Sequence, residues 1–274
     1  MNFDLTPEQD QLRDAVRALG RKYGHSYFVE KARSGEHTTE LWHEAGRLGY
    51  LGVNIPTEYG GGGGGITELA LVCEELAATG CPLLLLVVSP AIAATIINKH
   101  GTEEQRKKHL PGLADGSQKI VFAITEPDAG SNFHRLATVA RRDGDDWLLS
   151  GRKIYISGVD EAGHVLVVAR TEDASTGKLK PALFIVPTDA PGLEKSKLDM
   201  EILSPENQFL LFLDDVRLPA DALVGESLDA GLPALFAGLN PERITVAAMG
   251  AGTGRYAIER ASDYTATRKV WGGR

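Results

Sequence analysis

Over roughly the first 115 residues, the hydrophobic positions recur every three or four residues, the spacing of one helix face. Thr6, Pro7 and Gln9 form a helix-start signature, with an N-cap, a proline at the first helical position and a glutamine three residues after the cap. Similar signatures occur at Thr67 and Thr102. The pattern therefore predicts a helical N-terminal domain.

Two segments of this region resemble other features but are interpreted more simply. The most hydrophobic one, residues 82–98, is interrupted by Ser89 and Pro90, well short of the roughly 18 to 20 unbroken apolar residues of a membrane span. It predicts a buried helix. Six consecutive glycines, residues 60–65, are not followed by a Lys-Ser/Thr pair, so they predict a flexible surface connection rather than a phosphate-binding loop.

From Lys119 the hydrophobic period shortens to two residues, which is typical of strands. The runs are KIVFAI, LATVARR, DWLLS, KIYIS, HVLVVAR, ALFIV and FLLFL. Their spacing is that of an antiparallel sandwich or barrel. The predicted fold class is α+β, with an N-terminal all-α domain (1–117), a middle antiparallel β-sandwich or β-barrel domain (118–228) and the start of a C-terminal helical bundle domain (229–274).

The last helical segment offers one apolar face for packing. Its members are Ile244, Ala247, Ala248, Ala251, Ile258 and Ala261. The glycine-rich stretch 250–254 resembles a dinucleotide-binding fingerprint, but only twenty residues follow Gly254, too few to complete the βαβ unit that the fingerprint requires. These small residues instead predict the close approach of another helix.

Charge and cysteine content exclude some classes of binding partner and indicate the cellular compartment of the protein. The formal net charge of −8 argues against nucleic acid or an anionic membrane as the main partner. Cys73 and Cys81 lack zinc-ligand spacing, so we expect no metal site and free thiols in a reducing compartment. The acidic N-terminus carries no secretory or transit pattern, and no membrane insertion is expected. The predicted location is cytoplasmic.

Three motifs carry a resemblance to a known family. They are FAITEPDAGSN (122–132), GRKIYISG (151–158) and TRKVWG (267–272). With helices before and after a β-domain, the chain resembles the acyl-CoA dehydrogenases, FAD-dependent flavoproteins that introduce an α,β double bond into acyl-CoA thioesters, the reaction type of fatty-acid β-oxidation. The resemblance runs from Leu5 to Arg274. Family members continue for about another hundred residues of helix, so the resemblance implies that this sequence lacks most of the C-terminal helical domain.

The resemblance implies a flavin site built from two β segments. Phe122, Ile124 and Thr125 would line the flavin, with the Thr125 hydroxyl and nearby amides as donors to its N1 and O2 edge. The second segment is Tyr155, Ile156 and Ser157, with Ser157 hydrogen-bonded near flavin N5. Taken singly, these residues are also ordinary core and turn residues. The order and spacing of the two segments together favour the flavin interpretation.

The same resemblance implies a base and a substrate contact surface. In LNPERI, Glu242 followed by Arg243 matches the long-chain and isovaleryl types, in which such a Glu removes the α-proton. Most members carry the base further along, in the C-terminal region, so the position of the base stays open. Glu242 could also be an exposed first-turn glutamate after Pro241. The list of expected substrate contacts is Ser131, Leu239, Asn240 and Arg243.

Partners also follow from the resemblance. Arg268 and Trp271 match residues that reach the ADP half of FAD in a neighbouring subunit, which implies a homotetramer or homodimer. Electrons would pass to an electron-transfer flavoprotein. Two alternatives to the dehydrogenase remain: a non-catalytic acyl-CoA-binding scaffold and a flavin monooxygenase of the same fold.

Overall fold

The computed structural model describes residues 4–173 and 176–271. Helices form its first part, as the hydrophobic pattern predicts. They are α1 (Pro7–Ser34), α2 (Thr39–Arg47), α3 (Ile66–Ala78), a π-helix (Val87–Ala94) continuing into α4 (Thr95–His100), and α5 (Glu103–Asp115). The predicted caps of α1 and α5 are confirmed, because the Thr6 and Thr102 hydroxyls accept from the backbone N–H of Gln9 and Gln105. In return, the backbone N–H of each threonine donates to the side-chain Oε1 of the same glutamine.

A seven-stranded sheet follows the helices. Its strands are β1 (Ile120–Ala123), β2 (Val139–Asp143), β3 (Asp146–Ser157), β4 (His164–Glu172), β5 (Leu179–Pro187), β6 (Leu193–Leu198) and β7 (Gln208–Leu218). The order is β1-β4-β2-β3-β7-β6, with β5 paired to β4. A single long helix, α6 (Gly231–Thr267), ends the described chain. The predicted α+β class is confirmed, while the domain bounds stay a prediction.

The sheet differs from the prediction in three details. It is mixed rather than wholly antiparallel, because β1 pairs with β4 in parallel and β2 meets β4 in parallel at one position. The runs DWLLS and KIYIS form one strand, β3, in which Gly151 marks an irregularity rather than a turn: a Cβ there would lie 2.4 Å from Thr138 Oγ1. Strand β6 was not predicted, because its sequence LEKSKL is polar and exposed at the sheet edge.

The hydrophobic interior joins the helices to the sheet. One cluster runs from Val16 and Leu76 in the helices to Val121 and Trp147 in the sheet. A second cluster contains Ile96 and Leu110 of the helical part, Phe122 and Leu166 of the sheet and Leu235 of α6. The end of β1 is therefore held between α4, α5, α6 and the sheet, which fixes the position of the loop that follows it.

Two predictions for the glycine region are wrong. Helix α3 begins at Ile66, and its cap is Gly65, whose N–H donates to Glu68 Oε2 at 2.7 Å, so Thr67 is not the N-cap. The glycine run is not a flexible connection either. Gly62, Gly63 and Gly64 donate backbone bonds of 2.8–2.9 Å to the 52–55 segment. A Cβ on Gly61 would lie 2.1 Å from the Ile55 carbonyl oxygen, so glycine is required by close packing there.

Helix α6 packs with a different face from the predicted one. The predicted apolar positions are largely exposed, with Ile244 at 47% and Ile258 at 73%. The buried positions are Gly231, Ala234, Leu235, Gly238, Pro241, Thr245 and Gly252. At Gly252 a small residue faces inward because α3 approaches closely: a Cβ there would lie 2.1 Å from the Glu74 carbonyl oxygen. The predicted close approach is thus confirmed at Gly252 but not at Gly250 or Gly254, where a Cβ would meet nothing within 4 Å.

Three further findings concern single features of the sequence. The segment 82–98 is helical and largely buried from Val87 onward, as predicted. Cys73 and Cys81 are buried free thiols. Within residues 4–173 and 176–271, the structure contains no helix with both the length and the apolar character that crossing a bilayer requires.

Candidate active site

The two predicted flavin segments meet although no regular ladder pairs their strands. Strand β1 pairs with β4, and β3 pairs with β2 and β7. The segments are joined where both strands end, because the Ile154 N–H donates to the Thr125 carbonyl at 2.9 Å. Close by, Lys153 Nζ donates to the Ile124 carbonyl at 3.1 Å. The structure therefore places the end of the first segment directly beside the residues that precede the second segment.

Tyr155 occupies an unusual position in β3. The register between β3 and β7 shifts between Lys153 and Ile156, and within this irregularity Tyr155 has φ +60°. Left-handed backbone is costly for a large side chain and recurs at functional sites. The bulge re-aims the ring outward, leaving it 58% exposed. An exposed aromatic ring on a strained strand end is suited to stacking against a planar ligand.

The other residues of the two segments divide into buried and accessible ones. Phe122 and Ile156 lie in the hydrophobic clusters, so their side chains offer a ligand little surface. Ile124 and Thr125 are half-buried. The Ser157 hydroxyl donates to Gln208 Oε1 at 2.9 Å, so a bond from Ser157 to a flavin nitrogen would require that hydrogen to turn away from Gln208.

This set of groups fits an isoalloxazine ring. Thr125 offers a hydroxyl for which the described residues provide no partner, Ser157 offers a second hydroxyl, and Tyr155 offers an accessible ring face. Fixed hydroxyl and backbone donors are the groups that stabilise negative charge on the pyrimidine edge of a flavin. The strands that carry these residues share one hydrophobic cluster, which contains Val121 and Ala123 of β1 and Ile156 of β3.

A loop carries the first substrate residue away from β1. Ser131 is exposed on this loop, which spans residues 126–137. The loop starts with a tight turn, in which Glu126 and Ala129 exchange backbone hydrogen bonds of 3.0 and 3.1 Å. Further along, Phe133 makes an edge contact with Phe236 of α6, with ring centroids 5.9 Å apart. The loop is thereby placed beside the helix that carries the candidate base.

The candidate base and the remaining substrate residues lie in the first half of α6. Leu239 packs on the same cluster as Phe122 and Ile124. Arg243 is exposed and donates to Asn240 Oδ1 at 2.8 Å. Glu242 is not in a first turn, because α6 begins at Gly231. Glu242 is half-buried, and burial raises the pKa of its carboxyl although Arg243 opposes this.

Arg268 and Trp271 lie far from the two flavin segments and Glu242. They follow Arg243 by 25 or more residues, which corresponds to about 37 Å along the axis of α6. Trp271 is 99% exposed, and Arg268 donates to the Tyr264 hydroxyl at 2.8 Å. Within one chain these residues and the β segments form separate surfaces, and the interpretation that they reach a neighbouring subunit stays a prediction.

One cluster of metal-ligand types lies elsewhere, near the interface of helices and sheet. Ligand atoms of His37, Asp160 and Glu161 lie within 4.8 Å of one another. However, His37 Nε2 is 3.4 Å from Asp160 while Nδ1 is 3.1 Å from Glu161, so the carboxylates face different ring nitrogens. Lys119 already pairs with Glu161 at 2.5 Å. The Glu161 carboxylate is thus already engaged by an ammonium group.

Sequence reasoning missed two residues where the two flavin segments meet, Glu126 and Lys153. Both lie inside the recognised motifs but had no role assigned to them. In the structure they are almost completely buried and form a 2.8 Å ion pair. The available signal was a lysine within the apolar run of a central strand, since charged residues are rarely buried without a partner.

Known proteins of one family are similar to this chain over nearly its whole length. Models of the acyl-CoA dehydrogenase N-terminal domain and middle domain match residues 6–117 and 121–204. The chain is 62% identical over 270 residues to acyl-CoA dehydrogenase FadE12 of Mycobacterium tuberculosis (strain ATCC 25618 / H37Rv), covering 98% of this chain and 69% of that protein. It is 34% identical over 270 residues to the mitochondrial long-chain specific acyl-CoA dehydrogenase of Sus scrofa, covering 98% and 63%.

A solved structure gives the same assignment in three dimensions. The glutaryl-CoA dehydrogenase of Mycobacterium smegmatis in complex with FADH2 superposes with a TM-score of 0.89 at 32% identity. The alignment covers 98% of this chain and 68% of that one. The helical part, the curled mixed sheet and the following helix are thus shared with a protein that binds a reduced flavin.

Proposed function

The chain belongs to the acyl-CoA dehydrogenase family, and on that premise we propose that it oxidises a saturated acyl-CoA thioester to the trans-2-enoyl-CoA, with Glu242 as the base. The family is one of FAD-dependent oxidoreductases, and FAD is the cofactor of this chain. The observation that carries the proposal is a half-buried carboxylate on the helix whose Leu239 packs against the same hydrophobic cluster as Ile124, the cluster that contains Phe122 of the first flavin segment.

Removing hydrogen from two adjacent carbons requires a base at one carbon and a hydride acceptor at the other. When bound, FAD supplies the acceptor, which no amino-acid side chain can provide. The ionised carboxylate of Glu242 would take the α-proton, and its raised pKa makes it a stronger base than an exposed glutamate. Arg243 and Asn240, one helical turn apart, would hold the polar part of the thioester beside it.

The β segments would position the flavin and the substrate. Thr125 and adjacent amides would donate to the edge of the ring that becomes negative, and Tyr155 would cover a ring face. Ser157 would reach the ring after its hydrogen turns from Gln208. Ser131, on the loop that touches α6 through Phe133, would contact the CoA arm. Residues of the hydrophobic cluster would exclude water from the reacting carbons.

Product analysis tests this proposal. The protein is supplied with FAD, an artificial electron acceptor and a panel of saturated acyl-CoA esters of different length and branching. We expect an enoyl-CoA that is lighter than its substrate by two hydrogen atoms. Acyl-CoA that binds but is recovered unchanged would indicate a non-catalytic scaffold. Oxygen consumption that depends on added reduced flavin would indicate a monooxygenase instead.

The remaining assignments are proposals of the same kind. An electron-transfer flavoprotein is the proposed natural acceptor, and a homodimer or homotetramer is the proposed assembly, in which Arg268 and Trp271 would reach the ADP half of a neighbour's FAD. A cytoplasmic location agrees with the bacterial origin of FadE12 and likewise stays a prediction.

A further inference from the structure

A complete ion pair lies inside the protein where the two flavin segments meet. The Lys153 side chain is 0% exposed and that of Glu126 is 5% exposed. Burial lowers the pKa of Lys153 to about 8, against the pull of Glu126. Burial would raise the pKa of Glu126, but the attraction of Lys153 and backbone N–H bonds lower it below its usual value. Both groups are therefore charged near neutral pH.

Each member of the pair also binds backbone on a different segment. Besides Glu126, Lys153 Nζ holds the Ile124 carbonyl at 3.1 Å, at the end of β1. The Glu126 carboxylate accepts from the N–H groups of Ala137 at 2.6 Å and Thr138 at 3.0 Å. These two amides lie at the far end of the loop that carries Ser131. One pair thus fixes the end of β1, its own strand β3 and both ends of the substrate loop.

Stability alone does not account for a buried pair of this kind. The cost of removing both charges from water offsets much of their attraction, and apolar replacements of similar volume are often neutral or stabilising. What the pair provides is directional contact. An ammonium group with three donors and a carboxylate with two oxygens specify the relative position of three backbone segments, which apolar packing would leave free to slide.

We propose that Lys153 and Glu126 are positioning residues, which hold the two flavin segments and the Ser131 loop in one fixed arrangement. Neither residue needs to touch the substrate. Losing the pair lets the Thr125 donors and the Ser131 loop shift relative to Tyr155 and Ser157, so binding of flavin and CoA ester weakens together. The identity of the positioned ligands rests on the proposed function.

The first test compares two substitutions of the same kind. Glu126→Gln removes the charge partner of Lys153, whereas Glu75→Gln removes a fully buried carboxylate that binds Arg17 and Arg255 in the helical part. Both should lower the thermal midpoint. Only Glu126→Gln should weaken FAD binding, measured by flavin fluorescence, and raise KM for acyl-CoA, each by about tenfold, the typical scale when a supporting partner is lost. Equal FAD affinity and KM in the two variants would overturn the proposal.

A second variant separates position from stability. The double substitution Glu126→Gln with Lys153→Met leaves no unpaired ammonium inside the protein, so it should unfold at a higher temperature than Glu126→Gln alone. FAD affinity and KM should stay impaired, because the contacts to Ile124, Ala137 and Thr138 are still missing or weakened. A double variant that binds FAD and acyl-CoA like the wild type would show that the pair has only a structural role.

Hydrogen exchange tests the arrangement without any ligand. In the flavin-free protein, the amides of Ala137 and Thr138 should exchange faster in Glu126→Gln and in the double variant than in Glu75→Gln. Unchanged protection would overturn the positioning role. If the wild-type protein bound no FAD, the proposed function would fail, and this experiment would still decide whether the pair holds the loop.

Discussion

Glu242 combines the two properties that a proton-abstracting carboxylate needs, partial burial and a place on a rigid helix. Burial disfavours its charged form, so it becomes ionised at a higher pH than an exposed glutamate, whose ordinary value is about 4.5. Turnover should therefore rise with pH through the raised pKa. Its effect on stability has the opposite sign: the folded state holds the proton more tightly, so this contribution declines as pH rises above about 4.5.

Replacing Glu242 tests the assignment of the base. Glu242→Gln keeps the shape of the side chain but cannot accept the α-proton, so kcat should fall by at least about 100-fold while FAD binding is retained. Glu259→Gln, an exposed change on the same helix, should alter kcat by less than about twofold. Steady-state kinetics with the best acyl-CoA ester measure both. Wild-type turnover in Glu242→Gln would place the base elsewhere.

Tyr155 allows a prediction in which stability and binding change in opposite directions. Tyr155→Gly removes the cost of a side chain at φ +60°, about 1 kcal/mol, and gives up little buried surface because the ring is largely exposed. The thermal midpoint should stay level or rise. FAD affinity should fall, because the stacking surface is gone. Tyr155→Phe serves as the control and should bind FAD like the wild type; a Tyr155→Gly protein that also did so would contradict the stacking role.

For individual residues, the sequence predicted which residue types form the candidate site better than it predicted the contacts that these residues make. The candidate positions Thr125, Tyr155, Ser157 and Glu242 follow from motif order, and the structure places Thr125 directly beside Ile154, the residue before Tyr155. The Lys153 pair was missed because a lysine in a strand is normally interpreted as exposed, although its place within an apolar run was a signal of burial. Its burial depends on Glu126, 27 positions away along the chain.

The elements were predictable where one hydrophobic face decides their packing. The caps of α1 and α5 and the apolar strands of the sheet follow from local signals. Helix α6 was assigned the wrong inward face, because hydrophobicity favours Ile244 and Ile258 whereas close packing against neighbouring elements requires glycine, as α3 does at Gly252. Steric fit between two helices depends on their separation, which no local pattern of the chain encodes.

Glycine substitutions in α6 test that packing. Gly252→Ala places a methyl group 2.1 Å from the Glu74 carbonyl oxygen, so it should destabilise the protein by roughly 1–3 kcal/mol. Gly254→Ala meets nothing within 4 Å and should stabilise the helix by roughly 0.5–1 kcal/mol. Urea unfolding of the two variants gives both values. A neutral Gly252→Ala would contradict the close approach of α3.

Contacts between the helical part and the sheet hold the whole molecule together. One of these contacts, the histidine contact formed by His109, His164 and Gln118, contains groups that can bind protons. His109 of α5 and His164 of β4 have ring centroids 5.2 Å apart, and Gln118 Nε2 lies 3.2 Å from Nδ1 of each. Burial, the neighbouring His164 and Lys108 lower the pKa of His109 to about 4, although Gln118 opposes this. Burial and Lys108 also lower the pKa of His164. Both rings are neutral in the folded protein near pH 7.

Acid should therefore destabilise the histidine contact between α5 and β4. The unfolded chain binds protons at His109 near pH 6.5 while the folded protein resists them down to about pH 4, so stability should fall as pH drops through that interval. His109→Gln removes this contribution and should flatten the dependence of the urea midpoint on pH. His43→Gln, at an exposed position of α2, should retain the wild-type slope. Equal pH dependence of the urea midpoint in the two variants would contradict the role of the histidine contact.

The central claim is that flavin and acyl thioester meet between the two β segments and Glu242. Anaerobic titration of the FAD-loaded protein with a saturated acyl-CoA ester tests it most directly, because loss of the visible band of oxidised flavin reports hydride transfer. We predict that the wild type bleaches in proportion to added ester, whereas Glu242→Gln binds the same ester and keeps its oxidised spectrum. A wild-type protein whose bound flavin keeps its colour with every ester of the panel would contradict the account.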